Sequence, residues 1–214
     1  MALPANKLIT INDRGARAAT TFGSLSAGGA NMVFIKKLTA SSSATLSFVD
    51  GADSVVLDST YKEYVFTFNN IHPANDNVAF KFQGSTDTGS SYGINITSTA
   101  FYGLNQEDDS GTALSYNTAG DLAQSTSYQQ IIDTTGNAND ESGSGTLTLY
   151  NPSSTTFVKH FTCTSSFNYR IGVPGEVSSH IAGYFNTTSA VDAVQFKMES
   201  GNVDAGTICL YGIA

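Results

Sequence analysis

The chain has no tryptophan, only two cysteines and four prolines, and little charge: Asp, Glu, Lys and Arg together make up 13% of its 214 residues, roughly half the usual share. Each shortage removes a class of protein. Cys163 and Cys209 lie far apart and match no metal-ligand spacing and no disulfide framework. They read as two packed thiols, with a single bridge between neighbouring strands as the alternative. No apolar run approaches the roughly 18 residues of a membrane-spanning helix, so no membrane insertion is expected. The opening Met1-Ala2-Leu3-Pro4-Ala5-Asn6-Lys7 lacks the apolar stretch of a secretory leader, which predicts synthesis in a cytoplasm without export. On that expectation Asn95-Ile96-Thr97 and Asn186-Thr187-Thr188 are chance matches to the glycosylation pattern. Positive charge is short as well, with 10 Lys and Arg against 18 Asp and Glu, for a net charge of −8. The imbalance is uneven: residues 1–37 hold Lys7, Arg14, Arg17, Lys36 and Lys37 against Asp13, a net of +4, which leaves −12 on the remainder. An acidic body repels nucleic acid and anionic membrane, so neither is expected as a partner.

What is present in quantity is a two-residue hydrophobic alternation. Tyr64, Phe66 and Phe68 alternate with Glu63, Val65 and Thr67; Val78, Phe80 and Phe82 with Ala79, Lys81 and Gln83; Val194, Phe196 and Met198 with Gln195, Lys197 and Glu199. Successive side chains on a strand face opposite ways, so this period means strands with one buried and one wet face. The 13 Phe and 10 Tyr suit strands better than helices. With so few charges, the wet faces are made of Ser, Thr, Asn and Gly.

Strands are predicted over residues 32–38, 44–49, 61–71, 77–83, 93–104, 146–150, 157–166, 177–186, 191–200 and 205–211. Leu122 to Ile132 is open between a strand and one short helical turn, and Thr134 to Gly145 reads as a long loop. Asn202, in a tight Gly201–Asp204 connection, predicts a hairpin of the last two strands. Ten or eleven strands at roughly 8–15-residue spacing predict an all-β fold, an antiparallel β-sandwich of jelly-roll-like form. Residues 1–30 differ: Ala, Gly, Ser, Thr and Asn dominate, with Leu8-Ile9-Thr10-Ile11 as a short strand candidate and Ser26-Ala27-Gly28-Gly29-Ala30 as a hinge by composition. They are expected to form an extended N-terminal arm that anchors a single domain spanning residues 31–214. Lys7, Leu8, Ile9, Ile11, Arg14, Arg17 and Phe22 are its candidate assembly residues.

Reactive constellations are scarce. His72 precedes Pro73 in a predicted loop, and His160 and His180 fall within predicted strands. No Gly-x-Ser-x-Gly elbow and no Cys/His signature accompanies them. Glu107-Asp108-Asp109 and Asp140-Glu141 are the carboxylate clusters that a glycosidase would need; both sit in polar loops and read as solvated. Asp133, Asn137, Asn139, Asp140 and Glu141, or Asn75, Asp76 and Asn77, could supply oxygens to a structural calcium ion. No other cofactor is expected. Ser142-Gly143-Ser144-Gly145 precedes a strand and so does not form a helix-terminal phosphate loop. Tyr92, Tyr102, Tyr116 and Tyr128, all near loops, could stack on sugar rings or cap the sandwich ends.

A resemblance enters with particular segments. Asp58-Ser59-Thr60-Tyr61-Lys62-Glu63-Tyr64-Val65-Phe66 followed by Asn70-Ile71-His72-Pro73-Ala74 resembles a segment of structural proteins from tailed, especially marine, bacteriophages. So do Tyr150-Asn151-Pro152-Ser153-Ser154-Thr155, Ala182-Gly183-Tyr184 and the ending from Val194 to Ile208. The resemblance covers about residues 32–214. It implies a virion component such as a fibre, knob or capsid or tail appendage, and transfers no catalytic residue. The expected partners are further copies of the chain, as a homotrimer, and other virion proteins. A glycan-binding adhesin of the virion is the alternative, with a host surface glycan as partner, and a polysaccharide-degrading enzyme a more distant one.

Overall fold

A computed structural model describes residues 32–169 and 172–214. The chain divides into two units, residues 1–30 and 31–214. The candidate arm residues Lys7, Leu8, Ile9, Ile11, Arg14, Arg17 and Phe22 lie outside the described residues. Twelve strands are formed, with no helix among the described residues. They are β1 (Met32–Thr39), β2 (Leu46–Val49), β3 (Glu63–Pro73), β4 (Val78–Ser85), β5 (Ile96–Gln106), β6 (Thr112–Tyr116), β7 (Gln129–Thr135), β8 (Gly143–Tyr150), β9 (Lys159–Tyr169), β10 (Gly175–Phe185), β11 (Ala193–Met198) and β12 (Val203–Ile213).

All pairings are antiparallel, and they resolve into two layers. The wide sheet has eight strands in the order β1-β12-β3-β8-β9-β10-β5-β6, and the narrow one has four, β7-β4-β11-β2. A single residue pair, Thr135 with Tyr169, joins them along the β7–β9 seam. The pairing is nested. β2 lies beside β11, β3 beside β8, β4 beside β7, and β5 beside β6. First with last, second with second-to-last and so inward is the pairing of a rolled-up pair of Greek keys, the jelly roll. Here the place of its seventh strand is taken by the meander β8-β9-β10, and β1 and β12 widen the same sheet. The expected all-β, jelly-roll-like antiparallel sandwich is the fold observed.

The alternation places the core between the layers. Phe48, Phe80, Phe82 and Phe196 of the narrow sheet meet Phe66, Phe68, Phe161 and Phe185 of the wide one, all fully buried or nearly so. Phe196 sits at the centre, with ring centroids 5.5 Å from Phe66, 5.8 Å from Phe80 and 6.2 Å from both Phe48 and Phe82. Edge-on and offset contacts at these distances suit the ring quadrupoles. Gly145, midway along β8, shows how closely the middle of the wide sheet is packed. A Cβ there would stand 2.3 Å from the Thr164 carbonyl oxygen and 2.6 Å from the Phe68 ring.

Several expectations are corrected. The last two strands do not form a hairpin: β11 lies between β2 and β4 in the narrow sheet, and β12 between β1 and β3 in the wide one. The connection crosses from layer to layer, with Gly201 at φ 70° and Asn202 Nδ2 donating to the Ser42 carbonyl at 2.9 Å. A short turn fixes that two strand ends are close, not that they share a sheet. The open segment, Leu122 to Ile132, follows β6 and runs into the start of β7, with no helical turn. Between them residues 122–125 run beside the start of β5, where the amides of Ser98 and Ile96 donate to Leu122 and Ser125 carbonyls at 2.9 and 2.8 Å. The loop predicted from Thr134 to Gly145 shortens to residues 136–142. His72 and Pro73 end β3 instead of lying in a loop, opposite a bulged stretch of β12 where proline's missing N–H does no harm.

Candidate functional site

Seven strand spacings of about 4.8 Å make the wide sheet more than twice as broad as the narrow one, with three. Four strands cannot cover eight, so the margins of the wide sheet overhang. At one margin β1 is the outermost strand, and Met32 and Phe34 on it are 46% and 57% exposed, Phe34 edge-on to Tyr211. At the other margin β10, β5 and β6 carry an exposed aromatic patch. Phe101 stands between His180 and Tyr116 in the strand register, stacked on the His180 ring at 5.0 Å and 12°, and Leu114 is 82% exposed. A hydroxyl-rich field separates the two margins, with Thr67, Thr146 and Thr164 forming one cross-strand row between Cys209 and His180. A shallow, mostly apolar depression crosses it beside His160, Thr162, Ala182 and Tyr184.

Beneath the β5–β6 overhang, on the inner face of the wide sheet, lies a cleft of about 470 Å³ counted out to its mouth. Tyr102 and Leu104 of β5, Val177 of β10 and Phe167 of β9 line it on one side, and Asn117 and Asp133 on the other. Asn117 follows β6 and is held by the turn it builds: its Oδ1 accepts from the amides of Ala119 and Gly120 at 3.1 and 3.0 Å. Its Nδ2 donates to Asp133 Oδ2 at 3.2 Å, while Asp133 Oδ1 accepts from the Thr134 amide at 2.8 Å. A smaller recess opens on the same Asn117 and Asp133, bounded by Gln130, Ser179 and Phe101.

The sequence-predicted groups fall as follows. Tyr102 lines this cleft. Tyr116 is on the outer patch, donating to Asp121 Oδ2 at 2.7 Å, a bond that raises the phenol pKa. Tyr92 and Tyr128 are half-buried on the outer face of the narrow sheet. There Lys197 lies 4.6 Å over the Tyr128 ring, and Tyr128 donates to Gln195 at 2.6 Å. The four tyrosines therefore do not form one surface. His160 and His180 lie on strands, as expected, and are exposed. Both ring nitrogens of His72 face structural partners, Nδ1 lying 3.7 Å from Asp204 and Nε2 3.1 Å from the Ala138 carbonyl. Glu107, Asp108 and Asp109 are exposed at the turn between β5 and β6, and Asp140 is exposed while Glu141 is buried, accepting from the Ala138 amide at 2.8 Å. The oxygen sets proposed for calcium do not converge: Asp133 turns to Asn117, and Asn137 donates to the Ala74 carbonyl at 3.2 Å. Among the described residues, no three His, Cys, Asp or Glu side chains are placed to share a metal ion.

Cys163 and Cys209 are free thiols. Cys163 is buried inward, where burial pushes its pKa up, and Cys209 is half-buried on the opposite face with two strands between them. Lys159 escaped sequence reasoning. It is fully buried, its ammonium donates to the Phe157 and Thr187 carbonyls at 3.0 and 3.1 Å, and burial lowers its pKa. A lysine between Val158 and His160 gives no local signal that carbonyls will enclose it. Among the described residues no helix is long and apolar enough to cross a membrane. Comparison with protein-family models, with curated proteins and with solved structures finds no match for this chain.

Proposed function

We propose that this chain is a structural protein of a tailed-phage virion, a fibre, knob or capsid or tail appendage. In this reading residues 1–30 anchor it, the sandwich is displayed, and its task is attachment rather than turnover. The observation that carries the reading is the placement of exposed apolar side chains at the two overhanging margins of the wide sheet. Met32 and Phe34 lie on one margin, and Phe101, Leu114 and Tyr116 on the other. Margins of this kind are surfaces on which other subunits seat. The N-terminal segment leads straight into β1, so an arm ordering on a neighbouring copy starts from the first of them. An arm that adds backbone hydrogen bonds and apolar contacts along its length can hold firmly despite the entropy lost in ordering. The segments resembling phage structural proteins, the low charge and the jelly-roll topology point the same way, and assembly as a homotrimer would use two distinct apolar margins per subunit.

Deleting residues 1–25 tests it. The truncated protein should keep its β-sheet circular dichroism and its cooperative unfolding, yet no longer join particles when supplied during phage assembly. Loss of folding on truncation, or unchanged incorporation, contradicts the proposal.

A further inference from the structure

We propose that the cleft under the β5–β6 overhang binds a neutral sugar residue, whether or not the chain belongs to a particle. The two sides of the cleft differ in chemistry. One is apolar and partly aromatic, built from Tyr102, Leu104, Val177 and Phe167; the other presents the Asp133 carboxylate and the Asn117 amide. A pyranose has the same division, with C–H faces that pack on a ring and hydroxyl groups that need hydrogen-bond partners.

The carboxylate has capacity left. An ionised carboxylate offers about four lone-pair sites over its two oxygens. Asp133 spends one on Asn117 through Oδ2 and one on the Thr134 amide through Oδ1. Neighbouring hydroxyls of a sugar can donate to what remains, while the amides of Ala119 and Gly120 hold Asn117 still. Asp133 sits on a strand and Asn117 in a turn tied back to β5 through its own amide, which donates to the Ala100 carbonyl at 2.8 Å. The polar groups are therefore positioned before a ligand arrives.

Charge selects among sugars. The cleft holds the Asp133 carboxylate, and the chain beyond residue 37 carries a net −12. A sialic or uronic acid meets repulsion there, and a neutral pyranose does not. The room for a ligand in the cleft, about 150 Å³, is below the roughly 300–1,000 Å³ of drug-sized sites, so the site takes a single sugar residue with the rest of a glycan in solvent. This site uses the inner face of the sheet and one of the four loop-proximal tyrosines, and it lies at the opposite end of the wide sheet from Met32 and Phe34.

The test is titration of the full chain, followed by backbone amide NMR, with maltose, lactose, chitobiose and glucuronic acid. At least one of the three neutral disaccharides should bind saturably, with the largest shifts at residues 102–104, 117 and 133, and glucuronic acid should not bind. Tyr102→Ala and Asp133→Asn, checked for an unchanged unfolding midpoint, should each weaken binding about ten-fold or more, while Phe34→Ala, at the opposite margin, leaves it unchanged. Because Asp133→Asn keeps the side-chain shape, it remains informative if Tyr102→Ala fails to fold. No saturable binding by any neutral disaccharide up to about 20 mM overturns the proposal. So does binding that survives both variants, or that is lost with Phe34→Ala instead. None of these outcomes bears on incorporation into particles, so this proposal and the virion role can fail separately.

Discussion

The narrow and wide sheets have similar inner faces and different outer ones. Each sends phenylalanines into the shared core. Outside, the narrow sheet is tied up by its own side chains: Lys81 pairs with Glu199 at 2.7 Å, Lys197 covers Tyr128, and Gln195 donates to Ser47 at 2.9 Å. The wide sheet carries short hydroxyls in its middle and exposed aromatic and aliphatic residues at its ends. The difference follows from width. The middle of the wide sheet is backed by the four-stranded layer, whereas among the described residues nothing of equal breadth lies behind its ends. Inner-face residues there, such as Tyr102 and Leu104, stay only half-buried and line a cleft. Packing has made the centre a fold and the ends a surface.

The comparison can be broken most strongly at the shared centre. Phe196→Ala should cost about 3–5 kcal/mol, whereas Phe101→Ala, half-exposed at the wide sheet's end, should change stability by less than about 1 kcal/mol. Denaturant midpoints of the two variants measure this, and similar losses would mean that the overhang is core after all. Gly145→Ala sharpens the distinction within the wide sheet. Its Cβ would press on the Thr164 carbonyl and the Phe68 ring, so a loss of about 1–3 kcal/mol is expected, in contrast to the tolerant margins.

A smaller effect tests β3, which faces the narrow sheet. Tyr64 is buried, its hydroxyl donates to the Asp58 carbonyl at 3.0 Å, and burial pushes its pKa up to about 12 from an ordinary 10.0. A raised folded-state pKa contributes stability that is complete below the unfolded value and disappears as pH rises from 10 toward 12. Tyr64→Phe should cost about 1 kcal/mol at neutral pH and remove that alkaline loss, read from unfolding midpoints across pH.

The smallest expected effect concerns the loop after β4. The Ser85 and Ser91 hydroxyls, with the Ser91 amide, hold the Asp87 carboxyl at a pKa of about 2, below its usual 3.8. This stabilisation is present above the unfolded value and is lost as pH falls through the folded one. Amide protection in residues 85–91, taken relative to the intrinsic exchange rate at each pH, should fall between about pH 5 and about pH 2, and Asp87→Ala should show the low protection at both.

How far the sequence could be read depended on burial. β3, β4 and β11 were legible because each places apolar residues at every second position against the core. β6 was not, since Thr112 to Tyr116 are mostly exposed and carry no alternation. The partnership of β11 and β12 was misread because a tight connection says nothing about layers, which depend on the nested pairing of strands far apart in the chain. Of the cleft, Tyr102 was singled out for its chemistry. Asp133 was seen as an oxygen donor toward the wrong neighbours, because only the folded chain brings the residue after β6 against β7. Asn117 had no local signal.

The proposed division of labour between an anchoring N-terminal segment and a sandwich that folds without it is tested most directly by mass in solution. The full chain and a chain lacking residues 1–25 would be measured by light scattering, with circular dichroism on both. The account predicts a trimer of the full chain and a folded monomer of the shortened one. A monomeric full chain, or a shortened chain that unfolds or remains trimeric, would contradict it.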